Sequence, residues 1–204
     1  MPDLKLSDAL EQIHEIHGHM ARGEIYLGYR PLPVAISGAF GLLAAALQGR
    51  FVPADNPAAF VYYWLASAAL CAILAGSAVG VHFFRQNWFE RRQTLHVWGQ
   101  FVPCLAAGGL VGAGVLHSAP QAVGLLPGLY AILFSLGIFS SRPFLPRATG
   151  WISLFYLFAG AWLLMHPTGP ERSAWPMAWV FFIGQCGGAL ILYLKLERRN
   201  FQNA

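Results

Sequence analysis

AAFVYYWLASAALCAILAGSAVGVHF, residues 58–83, runs without a single aspartate, glutamate, lysine or arginine. A helix needs about 20 predominantly apolar residues to cross the hydrocarbon core of a bilayer, and this stretch exceeds that. Five further stretches share its character: Pro33 to Leu47, Val97 to Leu116, Ala119 to Phe139, Ala148 to His166 and Ala174 to Leu194. A soluble domain of 204 residues has no interior that could bury six such helices. Inside lipid the backbone must satisfy its own hydrogen bonds, which makes helix the required assignment. The expected fold is all-α, a polytopic membrane protein with six transmembrane helices.

Composition points the same way. Hydrophobic residues make up 56% of the chain and charged residues 11%, against about 25% charged in soluble domains. The chain divides into a polar N-terminal segment (1–30), the helical bundle (31–195) and a short basic tail (196–204). Residues 1–30 lack an apolar core followed by small residues, so no cleavable signal peptide is expected. Cys71, Cys104 and Cys186 all fall inside predicted spans, where reduced thiols pack as small apolar residues.

The basic residues set the orientation. One side of the predicted topology carries Lys5, Arg22, Arg30, Arg85, Arg91, Arg92, Arg142, Arg147, Lys195, Arg198 and Arg199, and the other only Arg50 and Arg172. Lysine and arginine collect on cytoplasmic flanks, so both termini are expected in the cytoplasm. The basic patches then read as topology and contact with anionic headgroups of the lipid bilayer, not as a nucleic-acid surface.

Residues 4–29 are expected to form a cytoplasmic amphipathic helix. Ser7, Asp8 and Glu11 give a helix-start signal, and Leu6, Leu10, Ile13, Ile16 and Met20 recur at helical spacing. The polar face carries acidic residues and histidine rather than the lysine and arginine of a strong membrane binder, which favours docking on protein. His14 and His17 lie about 60° apart around a helix and, with Glu11, form a candidate metal set. The alternative is a solvated or pH-responsive face.

Lipid supplies no hydrophobic drive between helices, and small residues allow close approach instead. Gly76 and Gly80 in the second span, Gly108 and Gly112 in the third, and Gly184 and Gly188 in the sixth all show four-residue spacing. These three helices are expected to form the tight centre, with a homodimer face as the rival use of the same spacing. Pro103 and Pro127 fall inside the third and fourth spans and are expected to bend them.

No Asp, Glu, Lys or Arg lies clearly within a span, which argues against proton-coupled carriers and pumps. Gln100 and Gln185 are the principal polar side chains left, suited either to a bond across a helix interface or to the wall of a small cavity. His82 and His96, at similar depth, form a candidate axial pair for haem, and His117 and His166 a second one. The glycine run from Gly108 to Gly114 lies inside an apolar span and is not a phosphate loop. No nucleophile–base–acid arrangement and no paired carboxylates appear, so catalysis is not expected.

The text Leu125-Leu126-Pro127-Gly128-Leu129-Tyr130, followed by Ser140-Ser141-Arg142-Pro143, resembles a family of small uncharacterised six-span bacterial membrane proteins. The likeness continues through Gly150, Gly160, Gly187 and Gly188 to Glu197-Arg198-Arg199, with Tyr130 where the family often has tryptophan. It implies six spans in a bacterial inner membrane, and its members accompany winged-helix regulators. Three functions follow as expectations. The first is a non-enzymatic sensor or anchor that engages a cytoplasmic partner, or a second copy, through residues 4–29, with no cofactor. The second is binding or passage of a small molecule or lipid between helices. The third is a divalent metal or haem held by histidines.

Overall fold

A computed structural model describes residues 31–53, 55–83, 88–142, 145–167 and 174–194. The side chains of residues 75, 78–94 and 96–98 lie outside that description. So do the expected amphipathic helix over 4–29, with Glu11, His14 and His17, and the basic tail.

Among the described residues the chain is helical throughout, with no strand. The helices are α1 (Pro31–Phe51), α2 (Pro57–Phe83), α3 (Trp88–Ser118), α4 (Leu126–Ser141), α5 (Thr149–Met165) and α6 (Trp175–Leu192). By length and composition, five described segments can cross a membrane: Pro31–Phe51, Pro57–Leu74, Gly99–Ser118, Pro120–Ser141 and Trp175–Leu192. α5 is equally apolar but has 17 residues.

Proline and asparagine set the helix starts. Pro57 opens α2, where its missing N–H costs nothing, and the Asn56 side chain accepts from the Ala59 N–H at 3.0 Å. The fourth apolar stretch departs from the sequence reading. It is not one bent helix; a 3-10 turn over Pro120–Leu125 leads into α4, and Pro127 sits in the first turn of the new helix. An α-helix passing through residue 127 would lose a hydrogen bond and meet the proline ring. Restarting at Leu126 avoids both. Pro103, by contrast, lies inside α3 as expected.

Consecutive helices pack side by side, and α6 returns to α1, so the six close into a ring in chain order. The most extensive pairings are α4 with α5 and α1 with α6. This differs from the tight centre expected from the second, third and sixth spans: α2 and α3 touch only modestly, and neither packs extensively on α6.

The α4–α5 seam is held by small residues in mirrored order. A Cβ on Gly128 would stand 2.8 Å from the Gly160 carbonyl oxygen, and one on Gly160 would stand 2.9 Å from that of Gly128. One heptad along, Ser135 Oγ donates to the Ser153 carbonyl at 2.7 Å, and Ser153 Oγ donates to the Ser135 carbonyl at 2.9 Å. On the α1–α6 seam, Gly38 brings its backbone against Phe182 and Gln185.

The exterior is apolar, unlike that of a soluble domain, and small hydroxyl side chains share an otherwise apolar interior. Ser135, Ser141, Thr149 and Ser153 are buried, whereas Leu110 is 74% exposed and Trp151 73%. Each of these four hydroxyls donates to a backbone carbonyl, which satisfies it inside a membrane bundle.

Candidate functional site

At the centre of the ring lies a partly open cavity of about 220 Å³ bounded by α1, α2, α3, α4 and α6, with exposed Ala68 and Leu105 at its mouth. A smaller chamber of about 80 Å³ follows toward the end of the bundle where α1 begins and α6 finishes. Val34, Phe101, Phe134 and Gln185 border both spaces and form the waist between them. Among the described residues, no acidic, basic or histidine side chain lines either one.

The opposite end is sealed. Ala44, Ala45 and Val52 of the α1 end pack with Phe60, Val61 and Trp64 of the α2 start, with Val123 and Leu126, and with Ala174, Met177 and Ala178. Two hydrogen bonds lock this plug: Tyr63 Oη donates to the Ala44 carbonyl at 2.6 Å, and Trp64 Nε1 to Gln48 Oε1 at 2.9 Å.

The waist is aromatic. The Phe134 ring stands edge-on to Phe101 at 5.2 Å between centroids, and meets Tyr156 at 5.0 Å and Phe181 at 5.3 Å. Tyr156 is fully buried; its hydroxyl donates to the Phe181 carbonyl at 3.2 Å, and its ring fills the space left by Gly184. These contacts fix one wall of the cavity.

Most polar groups on the cavity wall are already engaged. Ser37 Oγ donates to the Val34 carbonyl at 2.7 Å and Ser67 Oγ to that of Tyr63 at 2.8 Å. The Cys71 thiol points to the Ser37 carbonyl at 3.6 Å and the Cys104 thiol to that of Gln100 at 3.9 Å. Gln185 is the exception. It is half-buried, borders both chambers and has no side-chain hydrogen bond to a described residue.

The two glutamines are thus placed differently. Gln185 is on the cavity wall, while Gln100 is not, and the Gln100 Oε1 is buried without a partner. Tyr130 lines the cavity with its ring; its hydroxyl is buried, unpartnered and pressed against Gly112. Among the glycines singled out for packing, Gly108 and Gly112 face Tyr130 and Gly184 faces Tyr156. Nothing lies within 4 Å of where a Cβ on Gly188 would sit. Gly76 is half-buried on α2, and Gly80 lies where side chains are outside the description. His82 and His96 belong to α2 and α3, but their side chains are outside it too. His166 is engaged: its ring stacks on Trp162 at 4.7 Å and its Nδ1 lies 3.0 Å from the Trp162 carbonyl. Among the described residues no three His, Cys, Asp or Glu side chains gather as a metal site.

Sequence reading passed over Tyr130, Phe134, Cys71 and Cys104 as wall residues. A faint signal existed. Ala68, Cys71 and Ala72 on α2, and Cys104 and Gly108 on α3, are small residues at helical spacing, and all of them border the cavity. With that geometry established, comparison adds no relative: no family model, curated protein or solved structure matches the chain.

Proposed function

We propose that the chain is a six-span protein of the bacterial inner membrane, both termini cytoplasmic, that binds a small uncharged lipid-soluble molecule within its helix bundle. The observation that carries this reading is the central cavity of about 220 Å³ bordered by five helices, whose described lining is mostly apolar and carries no charged side chain. Ligand pockets are concave, mostly apolar, and carry a few placed polar groups. The plug at the loop end opposite the termini favours binding over passage, because a route through the bundle would have to break it. The role is receptor-like and non-enzymatic. No base lines the cavity among the described residues, and the thiols of Cys71 and Cys104 are turned onto backbone carbonyls. The basic residues flanking the termini support the orientation, and the apolar belt supports the membrane setting.

The test is to fill the cavity. Ala68→Phe adds a ring equivalent to benzene, which by itself occupies a cavity of about 150 Å³. Wild-type protein purified in mild detergent should retain a small neutral adduct in native mass spectrometry, and the Ala68→Phe protein should lose it. An adduct-free wild type, together with a more thermostable Ala68→Phe protein, would show a void that has no occupant.

A further inference from the structure

We infer that the Gln185 carboxamide is the recognition group of this cavity, and that its ligand is a neutral ring system of about ten heavy atoms bearing one hydroxyl group. The inference rests on the cavity-binding reading above and specifies its ligand.

Size comes first. A dry apolar cavity of about 150 Å³ holds benzene. A volume of about 220 Å³ therefore takes a body of two fused rings. The wall favours a neutral ligand. Among the described residues no ionic partner lines either chamber, so an ionised group would find no compensation from them for its desolvation.

The polar feature follows from what the wall has left to offer. Ser37, Ser67, Cys71 and Cys104 all spend their donors on backbone carbonyls. The Tyr130 hydroxyl is buried against Gly112 and does not face the open space. Among the described wall residues, Gln185 is left without a hydrogen bond to another described residue, and its side chain carries two N–H donors and one carbonyl acceptor. A hydroxyl answers both functions from one atom, since it donates one hydrogen bond and accepts others. A ligand with only an acceptor would leave the Gln185 carbonyl unmatched in an apolar surround.

Position makes the group selective. Gln185 lies at the waist between Phe101, Phe134 and Val34, and its Cβ packs 2.9 Å from where a Cβ on Gly38 would be. That close α1–α6 seam fixes the root of the side chain, so the carboxamide is held at the boundary of the two chambers. The ligand's hydroxyl sits at the waist and its rings fill the larger chamber.

The experiment uses the full chain in detergent, with 2-naphthol and naphthalene as probes, which differ only by the hydroxyl. Equilibrium dialysis against protein-free micelles corrects each for partition into detergent. Wild type should bind 2-naphthol roughly tenfold more tightly than naphthalene. Gln185→Met, close to it in shape, should remove that preference while retaining naphthalene affinity, which also reports that the cavity is intact. Ala68→Phe should exclude both probes. Equal affinities in wild type, or a preference that survives Gln185→Met, overturns the assignment of Gln185 and leaves the cavity reading standing. Binding of 2-naphthol that survives Ala68→Phe places the probe outside the cavity and overturns it as well. If wild type binds neither probe, the cavity reading itself falls.

Discussion

Replacing Gly128 by alanine tests the α4–α5 seam directly. The new methyl would stand 2.8 Å from the Gly160 carbonyl oxygen and 2.9 Å from the Leu164 backbone nitrogen. Ordinary contact begins near 3.4 Å, so the helices must part by about 0.6 Å. The obstruction is backbone, and no rotamer change relieves it. Overpacking of this kind costs about 1–3 kcal/mol. A gap of 0.5–1 Å also forfeits a quarter to a half of each van der Waals well along the seam. The two serine bonds, at 2.7 and 2.9 Å, would stretch past the usual range, a loss of about 1 kcal/mol together. Against this, alanine gains up to about 1 kcal/mol in helix propensity. The net expectation is a loss of about 2 kcal/mol. Gly160→Ala should match it. The double variant should cost less than the sum, because the first substitution has already parted the helices. The assay is unfolding by sodium dodecyl sulfate in mixed micelles, followed by circular dichroism. Gly188→Ala is the comparator: with nothing within 4 Å of its Cβ, it should be neutral or slightly stabilising. A Gly128→Ala protein as stable as Gly188→Ala would refute the close seam.

Two further outcomes follow from the same packing. Ser135→Ala and Ser153→Ala should each lose about 1 kcal/mol, since each removes one hydroxyl-to-carbonyl bond and leaves the other in place. The double variant should lose close to the sum apart from the coupling of the 3.0 Å Oγ–Oγ contact; single variants as stable as the parent would contradict the pairing. Tyr130→Phe should raise stability by about 1 kcal/mol, since it removes a buried hydroxyl that has no partner. Gly112→Ala, whose methyl would run into that hydroxyl, should be tolerated in the Tyr130→Phe background and damaging without it, the ring carbon Cζ being at an ordinary 3.5 Å. Melting temperatures of the four proteins check both statements, and a destabilised Tyr130→Phe would show that the hydroxyl is satisfied.

The helices themselves were legible because lipid imposes a length and forbids charge. The stretch from Ala58 to Phe83 needs no context to be read as a helix, and α2 ends at the same Phe83. The fourth stretch was misjudged at Pro127. Its Leu-Pro-Gly-Leu text reads equally as a bent span or as a fresh start, and Pro120 with Gly124 ahead of it tips the backbone into a 3-10 turn. Which helices touch was not legible. In a soluble helix the apolar stripe marks the buried face, but a helix in lipid is apolar all round. Four-residue glycine spacing was the available guide, and it selects faces without pairing them. Gly188 carries that spacing and meets nothing; Gly128 carries it with Gly124 yet meets Gly160, which has no glycine four residues away. A better signal was present. Gly128 and Ser135, then Ser153 and Gly160, lie seven residues apart in mirrored order on consecutive helices, as an antiparallel seam requires.

The site was half legible for a related reason. Gln185 stood out because a carboxamide is costly in hydrocarbon, and both readings of it, interface bond or cavity wall, were physically sound. What separates them is the neighbour across the seam. Gly38 has no side chain to bond with, and next to it Ser37 has already turned its hydroxyl onto the Val34 carbonyl. Gln185 therefore finds no bonding partner in Ser37 or Gly38 across the seam, and it borders the hollow. The hollow exists because the wall residues toward the centre are small while the seams on either side are drawn tight by Gly38 and by the Gly128–Gly160 contact. Tight seams and an open centre are thus one design. A bundle whose small residues all sat on helix contacts would have closed on itself, and this one spends part of its glycine, alanine and cysteine on empty space. Empty space in a bilayer forfeits dispersion contacts on every wall atom, and an occupant that restores them while answering the carboxamide is the simplest account of why it is there.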